Sequence, residues 1–235
     1  MGSVWQPAFD SNRLERARRE ESEPAAVPLV SVRIATYNRP DLLVDRAVRS
    51  ALNQTYPRIE VVVVGDNAVA GTAERLAALR DPRLRYYNIP LRPWYPPDQP
   101  NFWRVAGARA MNVAVALCRG DWIAPLDDDD EFLPEHIETL VKACQAHCWD
   151  FAYSSVSAKR PGEGFWNTGS APLGKGRVAH LSVLYSRRLQ FMWYDVDAWR
   201  LFESADGNMW RRMREAGARM GFVDRVLGRH YYGGH

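Results

Sequence analysis

The chain has 235 residues, of which 46% are hydrophobic and 25% are charged, and its formal net charge at pH 7 is +3. This composition is that of an ordinary globular protein, and the charge is too small to indicate a nucleic-acid partner. No run of roughly 18 apolar residues predicts a transmembrane segment, and no signal-peptide core stands near the N-terminus, so we expect a cytoplasmic protein. The number and spacing of the three cysteines do not predict disulfides.

Predicted strands and helices alternate in the first part of the chain. Residues 1–27 are polar and charged, and they predict an N-terminal arm, either a solvated helix or a disordered segment. Residues 28–235 are predicted to form a single domain. Its first part has strands predicted at 28–36, 59–64 and 84–87, with helices at 40–52 and 72–79 between them.

The second part continues the pattern. It has helices predicted at 104–117 and 134–146, strands at 122–126, 149–154, 178–185 and 220–227, and a further helix that begins with Asp206 at its N-cap. Strands that alternate with helices predict right-handed crossovers. The predicted fold class is therefore α/β, with a Rossmann-like, mostly parallel sheet flanked by helices.

Four aspartates and a glutamate, residues 127–131, follow directly after the apolar strand at 122–126. Carboxylates this close repel one another and resist burial unless a cation or hydrogen-bond donors neutralise them. At the carboxyl end of a strand they have the oxygen chemistry of a Mg²⁺ or Mn²⁺ site, whose remaining ligands are usually waters and phosphates. The cluster therefore predicts a metal site that serves a nucleotide, and the alternative is a solvated acidic loop.

Polar residues also follow two other predicted strands. Thr36 and Tyr37 end the first strand, and Asp66 follows the second. Ligands of open parallel sheets bind beyond the carboxyl ends of the strands, so these residues and the acidic cluster should converge on one crevice. That convergence favours a binding site over a solvated loop. The proline- and aromatic-rich segment 90–103 is either a functional loop or packing at the edge of the sheet.

In their order along the chain, five stretches resemble the family 2 glycosyltransferases, which are inverting enzymes with the A-type nucleotide-sugar fold. The stretches are residues 32–40, 51–57, 59–66, 119–130 and 206–210. The resemblance extends from about residue 28 to residue 225, and the ordered combination is far more specific than any one stretch. Residues 180–185 are also similar to the spore-coat polysaccharide type of the family.

The resemblance implies a role for each matching position of the donor site. Thr36 and Tyr37 would line the nucleotide base, Tyr37 by stacking, and Asp66 would hydrogen-bond the base. Asp127 opens the family's aspartate-any-aspartate motif, and Asp128 would lie near the ribose. These five residues form the implied nucleotide-binding set.

The second aspartate of that motif, Asp129, would be the main ligand of a Mn²⁺ or Mg²⁺ cofactor, and Asp206 stands at the family's general-base position. A divalent ion stabilises the diphosphate leaving group as a Lewis acid. A carboxylate on the opposite face of the sugar activates the acceptor hydroxyl, so a single displacement inverts the anomeric carbon. The alternative for Asp206 is a helix N-cap alone.

The chain departs from the family pattern at three positions. Asp66 stands alone after the second strand, where the family usually has two aspartates, and alanine precedes Asp206 where glutamate is frequent. Met111 stands where an arginine is usual. Arg109, or else Arg104, is therefore the candidate phosphate contact.

Three histidines are candidates for further contacts. His180 either lines the acceptor side or satisfies a strand end. His230 or His235 is a candidate extra metal ligand, because imidazole suits Mn²⁺ acceptably. His235 follows two glycines, so its alternative is a flexible chain end.

These features and the resemblance predict a metal-assisted, inverting glycosyltransferase. It would move a sugar from a UDP or dTDP sugar to a hydroxyl of a carbohydrate or small-metabolite acceptor. Residues 28–130 would bind the nucleotide sugar, and residues 131–235 would form a smaller acceptor-side portion. One alternative is a nucleotidyltransferase, which would need a glycine-rich basic loop that residues 35–39 do not provide. The other alternative is a non-catalytic nucleotide-sugar or carbohydrate-binding protein. The sequence does not predict the oligomeric state.

Overall fold

Strands and helices alternate through the first half of the chain. The computed structural model describes residues 7–20 and 25–233. Helix α2 is continuous, with a π-helical segment, Leu43–Val48, between Pro40–Leu42 and Arg49–Leu52. The elements of this half are α1 (Pro7–Glu20), β1 (Val30–Thr36), α2 (40–52), β2 (Ile59–Gly65), α3 (Thr72–Ala77), β3 (Leu84–Asn88), α4 (Gln99–Val105), α5 (Ala108–Leu117) and β4 (Trp122–Asp127).

The second half is more irregular. In the described part of the chain, no helix is both long enough and apolar enough to cross a membrane. The elements of this half are β5 (Glu131–Phe132), α6 (His136–His147), β6 (Phe151–Lys159), β7 (Trp166–Thr168), β8 (Val183–Ser186), α7 (Ala205–Glu215) and β9 (Met220–Tyr231), with short 3₁₀ helices at His180–Ser182, Arg187–Leu189 and Ala198–Leu201.

A single sheet forms the centre of the fold. Its strand order over the described residues is β3-β2-β1-β4-β8-β6-β9-β5, with β7 beside β6. Strands β3, β2, β1 and β4 are parallel, and β8 runs antiparallel to β4 and to β6. Strand β9 is parallel to β6, and β5 pairs with β9 in the antiparallel sense. The predicted fold class, α/β with a mostly parallel sheet flanked by helices, is confirmed.

Both faces of strand β2 are buried, which explains its run of four valines, residues 61–64. On β2, Val61 and Val63 join the apolar cluster that contains the buried residues of α2. Val62 and Val64 join the cluster that contains those of α5 and α7. Because successive side chains of a strand point to opposite faces, the sheet separates the two clusters. The carboxyl ends of β1, β2 and β4 meet at one edge of this sheet.

Three predicted elements differ from the structure. The helix predicted at 104–117 is two helices, because Gly107 has a left-handed φ of 73° between α4 and α5. The strand predicted at 178–185 begins only at Val183, after a 3₁₀ turn. The N-cap of α7 is Ser204, whose side chain accepts a hydrogen bond from the backbone N–H of Gly207. The prediction that Asp206 is the N-cap was therefore wrong.

The described part of the N-terminal segment, helix α1, lies against the domain. Leu14 is fully buried in the apolar cluster that also contains Trp210 and Met213 of α7. Arg18 forms an ion pair with the buried Asp150, which directly precedes β6. Helix α1 therefore contributes to the core of the protein, and residues 1–6 and 21–24 lie outside the described residues.

Candidate active site

The carboxyl ends of β1, β2 and β4 bring four of the sequence-predicted residues together: Thr36, Asp66, Asp127 and Asp128. Thr36 Oγ1 donates a hydrogen bond to Asp128 Oδ2 over 2.8 Å. The backbone N–H of Asp66 donates to the carbonyl of Thr36 over 2.7 Å. Asp127 is the last residue of β4 and pairs with Ala35 of β1. The acidic residues after β4 and the polar residues after β1 and β2 therefore share one site.

Two carboxylates of this site repel each other. Burial and the charges of Asp129 and Asp127 raise the pKa of Asp128 to about 7. Burial and the charge of Asp127 also raise the pKa of Asp129, against the effect of Arg39. The guanidinium of Arg39 contacts Asp129 directly and lies 3.6 Å from Asp128 Oδ1. Arg46 donates to the backbone carbonyl of Asp129. This part of the site accumulates negative charge that favours a cation.

His180 binds the first aspartate of the motif. Its Nδ1 lies 2.8 Å from Asp127 Oδ1, and its Nε2 contacts the guanidinium of Arg33. Because a guanidinium can only donate, Nε2 accepts, and the ring proton is on Nδ1, which donates to Asp127. Burial would raise the pKa of Asp127, but His180 and the charge of Arg33 outweigh it and lower this pKa. Arg33 also donates to the hydroxyl of Tyr194.

His230 is held by another aspartate of the cluster. Its Nδ1 lies 2.8 Å from Oδ2 of the fully buried Asp130, whose Oδ1 accepts from the backbone N–H of Tyr231. Burial raises the pKa of Asp130 to about 6, against the effect of His230. Burial would lower the pKa of His230, but Asp130 and the nearby Asp127 and Asp129 outweigh it and raise this pKa. A carboxylate that orients one ring nitrogen in this way leaves the other available for a metal ion.

Tyr37 and the buried Asp66 both contact Arg92 at the predicted base-binding position. Asp66 Oδ2 accepts from the hydroxyl of Tyr95 over 2.6 Å, whereas its buried Oδ1 has no hydrogen-bond partner in the described structure. The guanidinium of Arg92 lies 3.7 Å from the ring centroid of Tyr37 and 3.6 Å from Asp66 Oδ2. A neighbouring cavity of about 360 Å³ is lined by Arg92, Tyr95, Phe102 and residues between them.

Asp206 lies in the first turn of α7 with its carboxylate uncommitted. Because Ser204 caps the helix, Asp206 is not needed for that task, and its side chain makes no hydrogen bond to any described residue. Burial raises the pKa of Tyr194 against the effect of Arg33, and the charges of Asp206 and Asp127 raise it further. Asp206 therefore lies near Tyr194. The hydroxyl of Tyr194 is 3.3 Å from Nε2 of His180. Tyr194 therefore lies within electrostatic range of both Asp127 and Asp206.

The other predicted residues lie away from these contacts or outside the description. Arg109 is exposed on α5 and makes no hydrogen bond or ion pair with the described residues. Arg104 donates to Asn101 and packs on the ring of Phe202. His235 lies outside the described residues.

Arginines that the sequence pattern did not predict as site residues lie in or beside the candidate site. Arg39 lies three residues after the end of β1, so its position near a strand end was a usable signal. Arg33 lies inside a strand buried on both faces, where a charged residue is rare unless it is paired. Arg92 lies in the aromatic loop that the sequence left open between function and packing.

The donor atoms fit a divalent ion that the substrate helps to coordinate. In the part of the chain that the structure describes, no three His, Cys, Asp or Glu side chains are grouped to hold a metal. Mg²⁺ commonly uses one or two carboxylates together with substrate phosphates and waters, and Mn²⁺ accepts the same oxygens and imidazole. The raised pKa of Asp129 and the contact of its carboxylate with Arg39 show that this position favours a cation.

The fold is that of the A-type glycosyltransferases. The structure of TarS from S. aureus in complex with UDP-GlcNAc matches with a TM-score of 0.68 and 17% identity, covering 86% of this chain and 58% of that chain. The structure of the mannosyltransferase PcManGT from Pyrobaculum calidifontis, in complex with GDP-Man and Mn²⁺, matches with a TM-score of 0.63 and 18% identity. The match covers 95% of this chain and 64% of that chain.

The sequence defines the family. The model of glycosyl transferase family 2 matches residues 31–92 and 100–214, so the chain belongs to this family. One relative is the candidate colanic acid biosynthesis glycosyl transferase WcaA of Escherichia coli, which is 28% identical over 186 residues. The match covers 75% of this chain and 59% of WcaA, so the chain spans less than two thirds of that relative.

Proposed function

We propose that this protein is an inverting glycosyltransferase that moves a sugar from a UDP or dTDP sugar to an acceptor hydroxyl. The observation that carries the proposal is the meeting of Thr36, Asp66 and Asp128 at the carboxyl edge of the sheet, in a chain of family 2. In this proposal residues 28–130 bind the nucleotide sugar and residues 131–235 form the acceptor side. The acceptor is a carbohydrate or a small metabolite.

Asp66 is suited to select the base. Its buried Oδ1 has no hydrogen-bond partner among the described residues, and a buried acceptor of this kind favours an N–H donor. The N3–H group of uracil or thymine supplies one donor in the plane of the ring. Tyr37 then stacks on the base, and Arg92, which covers the Tyr37 ring here, either moves away or stacks on the far side. The UDP-GlcNAc complex of TarS supports a uridine donor, whereas the GDP-Man complex of PcManGT makes GDP the comparison to test.

Asp129 and His230 are the residues that would hold Mn²⁺ or Mg²⁺. When bound, the ion supplies Lewis-acid stabilisation of the diphosphate leaving group. Asp130 holds His230 by its Nδ1, and Arg39 neutralises Asp129 in the absence of an ion. Thr36 orients Asp128 for the ribose.

Asp206 acts as the general base. A carboxylate without a capping task or a hydrogen bond to the described residues is free to accept a proton from the acceptor hydroxyl. Attack of that oxygen on the anomeric carbon, opposite the departing diphosphate, inverts the configuration in one displacement.

A thermal-shift screen with UDP, dTDP and GDP, each with and without Mn²⁺, tests the donor site. A ligand that binds the folded state raises the melting temperature by mass action. We expect a Mn²⁺-dependent shift with UDP or dTDP that Asp66→Ala and Asp129→Ala both remove, while the surface variant Asp197→Asn retains it. No shift with any nucleotide in folded protein would contradict the proposal. Donor hydrolysis that depends on Mn²⁺ then separates an enzyme from a binding protein.

A further inference from the structure

A group of aromatic and basic side chains covers the surface beside the acidic cluster. The rings of Trp166 and Tyr232 are stacked, with centroids 5.8 Å apart and planes 6° apart. Phe165 packs edge-on against Tyr231 at 5.9 Å. Phe165 and Tyr232 are 48% and 43% exposed. We call this surface the hairpin platform, and it consists of Lys159, Arg160, Phe165, Trp166, Tyr231 and Tyr232.

Two series of contacts connect the hairpin platform to the candidate metal site. In the first, Arg46 donates to the carbonyl of Asp129, and its guanidinium lies 3.9 Å from the ring centroid of Tyr231. In the second, His230 binds Asp130 and packs edge-on against Tyr232, with centroids 4.3 Å apart. The platform therefore borders the candidate metal site, and it belongs to residues 131–235, which the proposed function assigns to the acceptor side.

The backbone holds the platform in place. Lys159, at the end of β6, pairs with Tyr231 of β9, and its carbonyl accepts from the N–H of Tyr232 over 2.8 Å. Strand β7 pairs with β6 in the antiparallel sense, so Trp166 lies opposite Ala158. Lys159, Trp166 and Tyr231 stand on paired strands, and Arg160, Phe165 and Tyr232 directly adjoin them, so little ordering is needed before a ligand binds.

The platform has two cations without a carboxylate partner. Arg160 lies over Trp166 and Tyr232, 5.2 and 5.3 Å from their centroids, and Lys159 lies 5.3 Å from the centroid of Phe165. Neither forms an ion pair with a carboxylate of the described residues. Arg229 nearby is different, since it pairs with Glu131 at 2.8 Å. Arg160 is therefore free to bind an anion while its face rests on an aromatic ring.

We infer that the hairpin platform is the acceptor subsite, and that the acceptor is a sugar ring with an anionic substituent, a carboxylate or a phosphate. The exposed aromatic rings take the apolar face of the sugar. Arg160 binds the anion through its planar donors, and Lys159 adds a second positive charge. This inference rests on the proposed function, because it names the acceptor of the same transfer reaction.

Ligand-observed saturation-transfer NMR on the full chain tests the inference with three probes: methyl β-D-glucuronide, glucose 6-phosphate and methyl β-D-glucoside. We expect at least one anionic probe to bind about fivefold more tightly than the neutral glucoside, the upper range for an exposed ion pair. The anionic probe that binds more tightly shows whether the carboxylate or the phosphate is recognised. Arg160→Gln should reduce both anionic probes to the affinity of the glucoside.

The matched control is Arg200→Gln, because Arg200 also lies over a tryptophan, Trp199, at 4.8 Å, but in a different part of the surface. This variant should keep the preference for the anionic probe. Equal binding of all three probes, no saturation transfer, or a preference that survives Arg160→Gln would overturn the inference. The shift of the melting temperature with UDP, measured on the same samples, distinguishes the two proposals. Loss of probe selectivity while UDP still binds contradicts the acceptor subsite alone. Loss of UDP binding while selectivity remains contradicts the donor site alone.

Discussion

In the candidate active site, Nδ1 of His180 lies 2.8 Å from Oδ1 of Asp127. Arg33 contacts the opposite nitrogen of the same ring, so the imidazole is held from both sides. Arg33 is fully buried, and its Nε and Nη1 have no hydrogen-bond partners in the described structure. A buried charge with so few partners is costly to fold. Its contacts with His180 and Tyr194 indicate that it positions the groups around Asp127 and Asp206.

Replacing Arg33 with methionine should impair catalysis more than folding. Methionine fills a similar volume without the buried charge, but His180 loses the donor that fixes its tautomer. We expect kcat to fall about 10- to 100-fold with a smaller change in the donor KM, as for other residues that orient a ligand-binding side chain. ¹⁵N NMR of His180 should show that Nε2 is no longer held as an acceptor.

Arg85→Met is the control for this experiment. Arg85 is a partly buried arginine of β3 that binds Glu60 and the carbonyl of Leu117, away from the acidic cluster. Its replacement should lower stability and leave the His180 resonances in place. A wild-type His180 signal and wild-type kcat in Arg33→Met would exclude the positioning role.

Asp206 and Ser204 lie within one helical turn but have different roles: Asp206 is the proposed base, and Ser204 caps the helix. We expect Asp206→Asn to lower kcat by about 10²- to 10⁴-fold, because the acceptor hydroxyl loses its base, with little change in the free energy of unfolding. Ser204→Ala removes the hydrogen bond to the Gly207 N–H and should cost about 1 kcal/mol of stability, with kcat retained. Kinetics and urea denaturation of both variants check this. Equal stability losses in the two variants and an unchanged kcat in Asp206→Asn would leave Asp206 with a structural role only.

The fold was predictable because local signals and burial agree. The β-branched residues of β2 are buried on both faces. The strands that end at Thr36, just before Asp66 and at Asp127 meet at one edge of the sheet. The wrong predictions concern local features of single helices. Gly107 divides a periodic helix, and a capping serine two residues before Asp206 takes the position that an aspartate also suits.

The environment of the site was less predictable, because its partners come from distant parts of the chain. Arg33 contacts His180 and Tyr194, which are 147 and 161 residues away in sequence. Asp130 binds His230 across 100 residues. The sequence indicates carboxylates at strand ends, but only the packed sheet determines which cation or imidazole neutralises each one.

Arg39 should compete with a metal ion for Asp129. Its guanidinium contacts this carboxylate and lies 3.6 Å from Asp128. Removing a fixed positive charge leaves a more negative site, so Arg39→Gln should bind Mn²⁺ about tenfold more tightly, as judged by the electron paramagnetic resonance signal of free Mn²⁺. Arg75→Gln, which removes a surface ion pair with Asp41, is the control and should not change Mn²⁺ affinity. Weaker Mn²⁺ binding in Arg39→Gln would mean that Arg39 positions Asp129 for the ion.

His136 should make the protein less stable in mild acid. The ring is fully buried against Phe132, its Nδ1 donates to the carbonyl of Leu227 over 2.9 Å, and its Nε2 has no partner in the described structure. Burial lowers the pKa of His136 from 6.5 to about 3, against a smaller opposing effect of the Leu227 carbonyl. As the pH falls below 6.5, the unfolded chain therefore binds this proton first, and stability decreases until the pH reaches about 3.

At pH 5.5 this single histidine should cost about 1.4 kcal/mol relative to pH 7.5. The free energy of unfolding in urea, measured at both pH values for the wild type and His136→Gln, isolates the effect, because contributions of the other groups cancel in the difference. His147→Gln, at an exposed ring stacked on Trp149, should behave like the wild type. If His136→Gln loses as much stability as the wild type between pH 7.5 and pH 5.5, the folded protein accommodates the imidazolium. Burial of the unpartnered Nε2 would then not be the source of acid sensitivity.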